Sequence, residues 1–225
     1  MRLTDAFALL GTCVVLCAGL VWLLGKSRLP QLPGAWGKRV TVLLVLFFFL
    51  ILWIPIGSAR IPVAAYARGI SSDLSITLVA LAAWHIGQRA LGWRAIPGRD
   101  QLAVMVAVAL AALFLYPMAL GWGNWDAYRP GWGSWGMLMC LGVLCTTCWV
   151  SGLKVLPALV ALGLLAWAFG LMESGNLWDY LLDPWLSILA LVFVSIKCVA
   201  IIRRRSNKGP VSCGDPSSGR LSSTL

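Results

Sequence analysis

Seven apolar runs, separated by short connections that hold most of the charges, set the terms for what this chain can fold into. A helix of about 20 apolar residues matches the hydrocarbon thickness of a bilayer. In lipid the backbone N–H and C=O groups find no water, and a helix satisfies them within one segment. The runs are Ala6–Gly25, Val40–Gly57, Ile70–Gly87, Leu102–Gly121, Met137–Leu153, Val155–Met172 and Trp185–Ile202. Only 12% of residues are charged and mean hydropathy is +0.86, whereas a soluble domain carries about 25% charged residues. The expected fold class is an all-α integral membrane bundle of about seven transmembrane helices over residues 1–205. A Ser-, Gly- and Pro-rich tail, 206–225, lacks the apolar surface to order itself and is expected to be a disordered cytoplasmic segment.

The third run is the weakest, because Ser71, Ser72, Asp73, Ser75 and Thr77 crowd its first half. Charge supplies a test of whether it crosses. The connections after the first, third and fifth runs, together with the tail, hold Lys26, Arg28, Lys38, Arg39, Arg89, Arg94, Arg99, Lys154, Arg203, Arg204, Arg205, Lys208 and Arg220. The opposite side holds Arg2, Arg60, Arg68 and Arg129. Lys and Arg collect on the cytoplasmic side, so the N-terminus is expected outside and the tail inside. Removing the third crossing would reverse this bias halfway along the chain. Lys197, inside the last run, can snorkel towards the basic side. The first run is longer than a signal-peptide core and its cations follow it, so it reads as an anchor. In form the chain resembles small polytopic proteins of bacterial inner membranes, which implies a multi-pass inner-membrane location.

That orientation sorts the acids. Asp5, Asp73, Asp126, Glu173, Asp179 and Asp183 fall outside, and Asp100 and Asp215 inside. Three of the outer acids lie in Glu173–Trp185 with no Lys or Arg among them, so their available partners are Arg60, Arg68 and Arg129. Asp183 before Pro184 suits a helix N-cap. Asp179 and Asp183, four apart, would share a face of a short interfacial helix, leaving Asp179 or Glu173 to meet an arginine. One reading makes these residues ion pairs and caps that pin loops together. The other makes them a polar outer-face site, whose arginines hold a phosphate or carboxylate while Glu173, Asp179 or Asp73 serves as base, metal ligand or proton carrier, although nothing in the spacing specifies a metal. The candidate cluster is Arg60, Arg68, Asp73, Trp125, Asp126, Arg129, Glu173, Asn176, Asp179 and Asp183. The loop Gly121–Trp135 packs four Trp and one Tyr around Asn124, Asp126 and Arg129, as an aromatic belt or as a platform for a sugar or lipid headgroup.

Other features weigh less. Ala103, Ala107 and Ala111, and Gly163, Ala166 and Gly170, form small-residue stripes that suit close helix packing within one bundle, or on a homo-oligomer face. Cys145 and Cys148 form a CxxC, but deep in an apolar helix they read as small hydrophobes, as do Cys13 and Cys17. His85 is the one histidine, too few for a zinc site, and reads as a hydrogen-bonded interfacial side chain. No phosphate loop, dinucleotide fingerprint, zinc-protease motif or nucleophile elbow appears. The expectation is therefore no cofactor, no metal and no nucleic-acid partner. The leading functional expectation is a non-enzymatic accessory or binding component of an envelope, lipid or glycan pathway, with membrane lipids, a lipid-linked substrate or a membrane protein as partner. The alternatives are a small secondary transporter of an anion and an intramembrane enzyme that transfers groups between lipids.

Overall fold

The computed structural model describes residues 2–26 and 35–206, and is mostly helical. The helices are α1 (Leu3–Lys26), α2 (Ala35–Leu52), α3 (Val63–Ser71), α4 (Ile76–Ile86), α5 (Gly98–Ala119), α6 (Trp135–Val150), α7 (Val155–Ala168), α8 (Leu177–Leu181) and α9 (Pro184–Ser206). Among the described residues, three stretches are long and apolar enough to cross a membrane: Leu3–Lys26, Gly98–Ala119 and Pro184–Arg204. They fit a membrane protein. The α6 and α7 helices are apolar but shorter, at 16 and 14 residues. The expectation for a disordered tail falls on residues 207–225, outside those described.

Three runs differ most from their sequence reading, the sixth, expected to Met172, ending as α7 at Ala168. The second was expected to continue to Gly57, but α2 ends at Leu52. Pro55 disfavours helical backbone at the residue before it, and the chain turns into a small hairpin pairing Pro55 with Pro62 and Ile56 with Ile61. The third was expected as one helix over Ile70–Gly87, yet it is broken. The α3 helix ends at Ser71, Ser72 takes φ +61°, and α4 starts afresh at Ile76. Ser75 caps the new helix, its hydroxyl accepting from the Leu78 amide at 3.1 Å. A π-helical segment, Gly87–Leu91, then extends α4. Small polar residues that compete for backbone hydrogen bonds explain the break, which an averaged hydropathy window conceals.

Packing follows residue size. The α1 helix lies along α4, where Gly11 has so little room that a Cβ would sit 3.1 Å from Val79. Cys13 and Cys17 are buried where α1 meets α2 and α3. The α5 and α9 helices run antiparallel, the Ser187 hydroxyl reaching Tyr116 Oη at 3.5 Å. Val104, Val108, Ala112 and Leu115 of α5 fill the main core with Leu156, Leu159, Leu186 and Ala190. The expected stripe on α5 sits beside this buried row, Ala107 and Ala111 packing at its edge. On α7, Gly163 is where α8 packs: a Cβ there would stand 2.6 Å from Leu181 Cδ2 and 3.7 Å from the Tyr180 carbonyl oxygen.

Contacts far apart in sequence gather at two ends. At one end are the start of α1, the hairpin, α3, the α3–α4 break, the 121–134 loop and residues 172–183. At the other, Gly25 lies against the Arg89 guanidinium and Gly92 against Lys38. There, Asp100 is buried and accepts from the Lys154 and Val155 amides at 2.8 and 3.0 Å, capping α7 from the start of α5. His85 lines a 270 Å³ pocket with Gln88 and Gln101 near this end. Its Nε2 is buried and has no hydrogen-bond partner among the described residues, contrary to the hydrogen-bonded histidine expected.

Candidate functional site

The ten residues singled out from the sequence fall into three separate groups, two lone arginines and Trp125. The first group is built around Arg68, in the last turn of α3. Its Nε donates to Asp73 Oδ1 at 2.7 Å, Nη1 to Asp5 Oδ1 at 3.2 Å, and Nη2 lies 3.5 Å from Glu173 Oε1. The helix break makes this convergence possible, because it turns Asp73 back towards the helix that has just ended. The hydrogen bond that Arg68 donates to Asp73 is the largest influence holding the guanidinium firmly protonated, with the one to Asp5 adding to it against the cost of burial. One guanidinium among three carboxylates leaves the group with a formal charge of about −2 at neutral pH. Sequence reading placed Asp5 on this side but did not include it. Its position in the first turn of α1, beside the free N–H groups and positive end of that helix, was the signal that could have found it.

The second group ties the aromatic loop to the acidic stretch. Asp179 accepts from the Tyr128 hydroxyl and from Ser174 Oγ, both short contacts. Asn176 is fully buried, donating through Nδ2 to the Tyr128 carbonyl and accepting the Trp178 amide at 3.0 Å to cap α8. Gly131 is where the loop closes over it, since a Cβ there would stand 1.9 Å from Asn176 Oδ1. Trp178 donates to the Ala127 carbonyl, and Asp126 accepts the Tyr128 amide within the loop. Burial first, and then the Asp179 carboxylate, push the Tyr128 phenol above its ordinary pKa. Asp179 therefore meets a tyrosine and a serine, not an arginine.

Asp183 stands apart from both. The expectation that it shares a helix face with Asp179 fails, because α8 ends at Leu181 and Leu182 is extended. The expected cap is present: Asp183 Oδ1 accepts the Leu186 amide at 2.8 Å. Its other oxygen takes both the Ser75 amide at 3.1 Å and the Ser75 hydroxyl at 2.5 Å. One buried carboxylate thus joins the starts of α4 and α9.

Arg60 and Arg129 are both exposed and make no ion pair among the described residues, so of the three arginines available to the acids Arg68 is the one that pairs with them there. Trp125 is exposed and leans on Phe114 at 5.8 Å between ring centroids, as an interfacial aromatic would.

The Arg68 group opens on space. Asp5, Arg68, Asp73 and Glu173 line a pocket of 570 Å³ with Leu9, Ile61 and Ala65. Glu173 is its most open charged member, with 55% of its side chain exposed. Asp73 also heads an apolar groove of 340 Å³ between α1, α4 and α7, lined by Gly11, Val79, Ala80 and Leu165 among others. The arrangement can bind a polar or cationic group at the mouth and a hydrocarbon below it. Among the described residues no cluster of three His, Cys, Asp or Glu side chains could hold a metal. The six described cysteines are free, Cys145 and Cys148 included. No family model, curated protein or solved structure matches the chain.

Proposed function

We propose that the chain is a multi-pass integral membrane protein, N-terminus outside and tail in the cytoplasm, acting as a non-enzymatic binding component that holds a membrane lipid or lipid-linked ligand at its outer end. The observation that carries this reading is the shared wall at Asp73, where a charged 570 Å³ pocket meets an apolar 340 Å³ groove. An amphiphile has that pair of surfaces, and a soluble metabolite does not.

Seven crossings are supported by the alternation of ends along the chain. Asp5 and Arg68 meet at one end, Gly25 and Arg89 at the other, and Asp100 joins the α6–α7 turn at that same second end. The hairpin, α3 and α8 serve as connections between crossings. An anion transporter fits less well, since the group surrounds its one arginine with three acids and the groove beneath is apolar.

The test is native mass spectrometry of the full chain extracted in mild detergent. A lipid or lipid-linked species retained near one per chain supports the reading. A folded chain that releases every lipid at the same low detergent energy refutes it.

A further inference from the structure

A second apolar groove lies on the other side of the α1–α4 pair. Its 590 Å³ are bounded by Thr12, Val15 and Leu16 of α1, Ala67 and Ile70 of α3, Leu74, Leu78 of α4, and Trp185, Ile188 and Leu189 of α9. The α1 residues facing it differ from those facing the first groove, which are Phe7, Ala8, Leu10, Gly11 and Val14. The two grooves therefore flank the α1–α4 seam. They approach each other at one place: Leu74 lines both, and its neighbour Asp73 lines the first groove and the charged pocket. Three spaces, two apolar and one charged, converge on two consecutive residues of the α3–α4 break.

We infer that the occupant is a single two-chain lipid whose headgroup carries a cationic amine, one chain on each side of the α1–α4 seam and the amine beside Glu173 and Asp5. This rests on the binding role proposed above and deepens it. Charge complementarity selects the headgroup. With Arg68 already held by Asp73 and Asp5, the surplus negative charge faces the pocket, and Glu173 is the carboxylate most open to an incoming group. An ammonium adds a partner to that carboxylate, whereas an anionic headgroup without an amine adds repulsion. One groove shares Asp73 with the charged pocket and the other adjoins the first at Leu74; two grooves match two acyl chains, where a single-chain amphiphile would leave one groove empty.

The experiment exchanges purified full-length chain, by detergent dilution, with phosphatidylethanolamine or with phosphatidylglycerol of identical acyl chains, and counts retained lipid by native mass spectrometry. About a fivefold preference for phosphatidylethanolamine is expected, the size of one partly exposed ion pair. Glu173→Gln should remove most of that preference while phosphatidylglycerol retention holds or rises. Ala80→Trp, which fills the first groove, should lower retention of both lipids and leave their ratio unchanged. Equal retention of the two lipids by the wild type, or unchanged preference in Glu173→Gln, would overturn the amine assignment and leave lipid binding intact. Full retention of a lysophospholipid in place of the two-chain lipid would overturn the two-groove assignment. Loss of all lipid from the wild type would overturn the binding role itself.

Discussion

Arg68 Nε and Asp73 Oδ1 lie 2.7 Å apart across the break between α3 and α4, so one ion pair closes the turn that splits what hydropathy reads as a single helix. The same guanidinium reaches back to Asp5 at the start of α1. Removing it leaves three carboxylates together with no counter-charge. Arg68→Ala should destabilise the chain by roughly 1–3 kcal/mol, the range for orphaning a charged hydrogen-bonding group that keeps some solvent access. Glu173→Ala should cost less than about 1 kcal/mol, as an exposed partner does. Thermal denaturation in detergent separates them, and equal shifts for the two variants would mean that Arg68 is not the centre of the group.

Asp183 joins two helix starts, and its loss should exceed that of an ordinary cap. An N-cap is worth about 1 kcal/mol, and the buried Ser75 amide and hydroxyl left behind add about 1–3 kcal/mol. Asp183→Ala and Ser75→Ala should also be non-additive, because each removes the other's partner. A double-mutant cycle by chemical denaturation checks this; strict additivity would show that the contact contributes no coupling.

Gly131 and Gly136 make a matched pair for testing the loop. A Cβ at Gly131 collides with Asn176 Oδ1, while one at Gly136 meets nothing within 4 Å. Asn176 cannot yield without losing both its cap on Trp178 and its bond to Tyr128. Gly131→Ala should reduce accumulation of folded chain several-fold, as losses of about 2 kcal/mol do, and Gly136→Ala should change stability by less than about 0.5 kcal/mol. Fluorescence-detected size exclusion of tagged variants reads both.

The raised pKa of Tyr128 has a sign that can be checked. A phenol whose folded pKa lies above its unfolded value stabilises the fold fully below the ordinary tyrosine range, about pH 10. That contribution fades as pH rises from there through the higher folded value. Tyr128→Phe should remove a late-titrating component from the 295 nm absorbance of the folded chain. It should also make stability less steeply dependent on pH above about 10. An unchanged alkaline titration would mean that the phenol does not face Asp179.

Orientation has its own readout. In a cysteine-free background, Asn124→Cys should react with an impermeant maleimide added outside intact cells, and Ser151→Cys only after permeabilisation. Both positions are exposed, and they lie at opposite ends of α6. The reverse pattern would invert the topology.

What could be read from the sequence depended on the range of the interaction. The α1, α5 and α9 helices were legible because each is an uninterrupted apolar run, and the Asp183–Pro184 cap because capping is local. The break at Ser72 was not, since it lies inside a run whose average hydropathy stays high while the backbone turns on four small polar residues. The partner of each acid was not legible either. Spacing cannot decide among Arg60, Arg68 and Arg129 when the choice depends on where α1 and α3 come together. Spacing places Asp100 on the inner side but gives no sign that it caps a helix that begins more than fifty residues later.

The unequal helix lengths carry a consequence for the surrounding lipid. At about 1.5 Å per residue, α1 is about 36 Å long and α7 about 21 Å, against a hydrocarbon layer of about 30 Å. If α6 and α7 cross as proposed, they are too short for a relaxed bilayer, while α1, α5 and α9 match or exceed it. On the seven-crossing reading proposed above, lipid beside the short flank must compress, so the membrane around the chain forms a wedge, thin on one side and full on the other. Such a wedge favours thin bilayers over thick ones and gives neighbouring proteins with short spans a reason to gather on the same side.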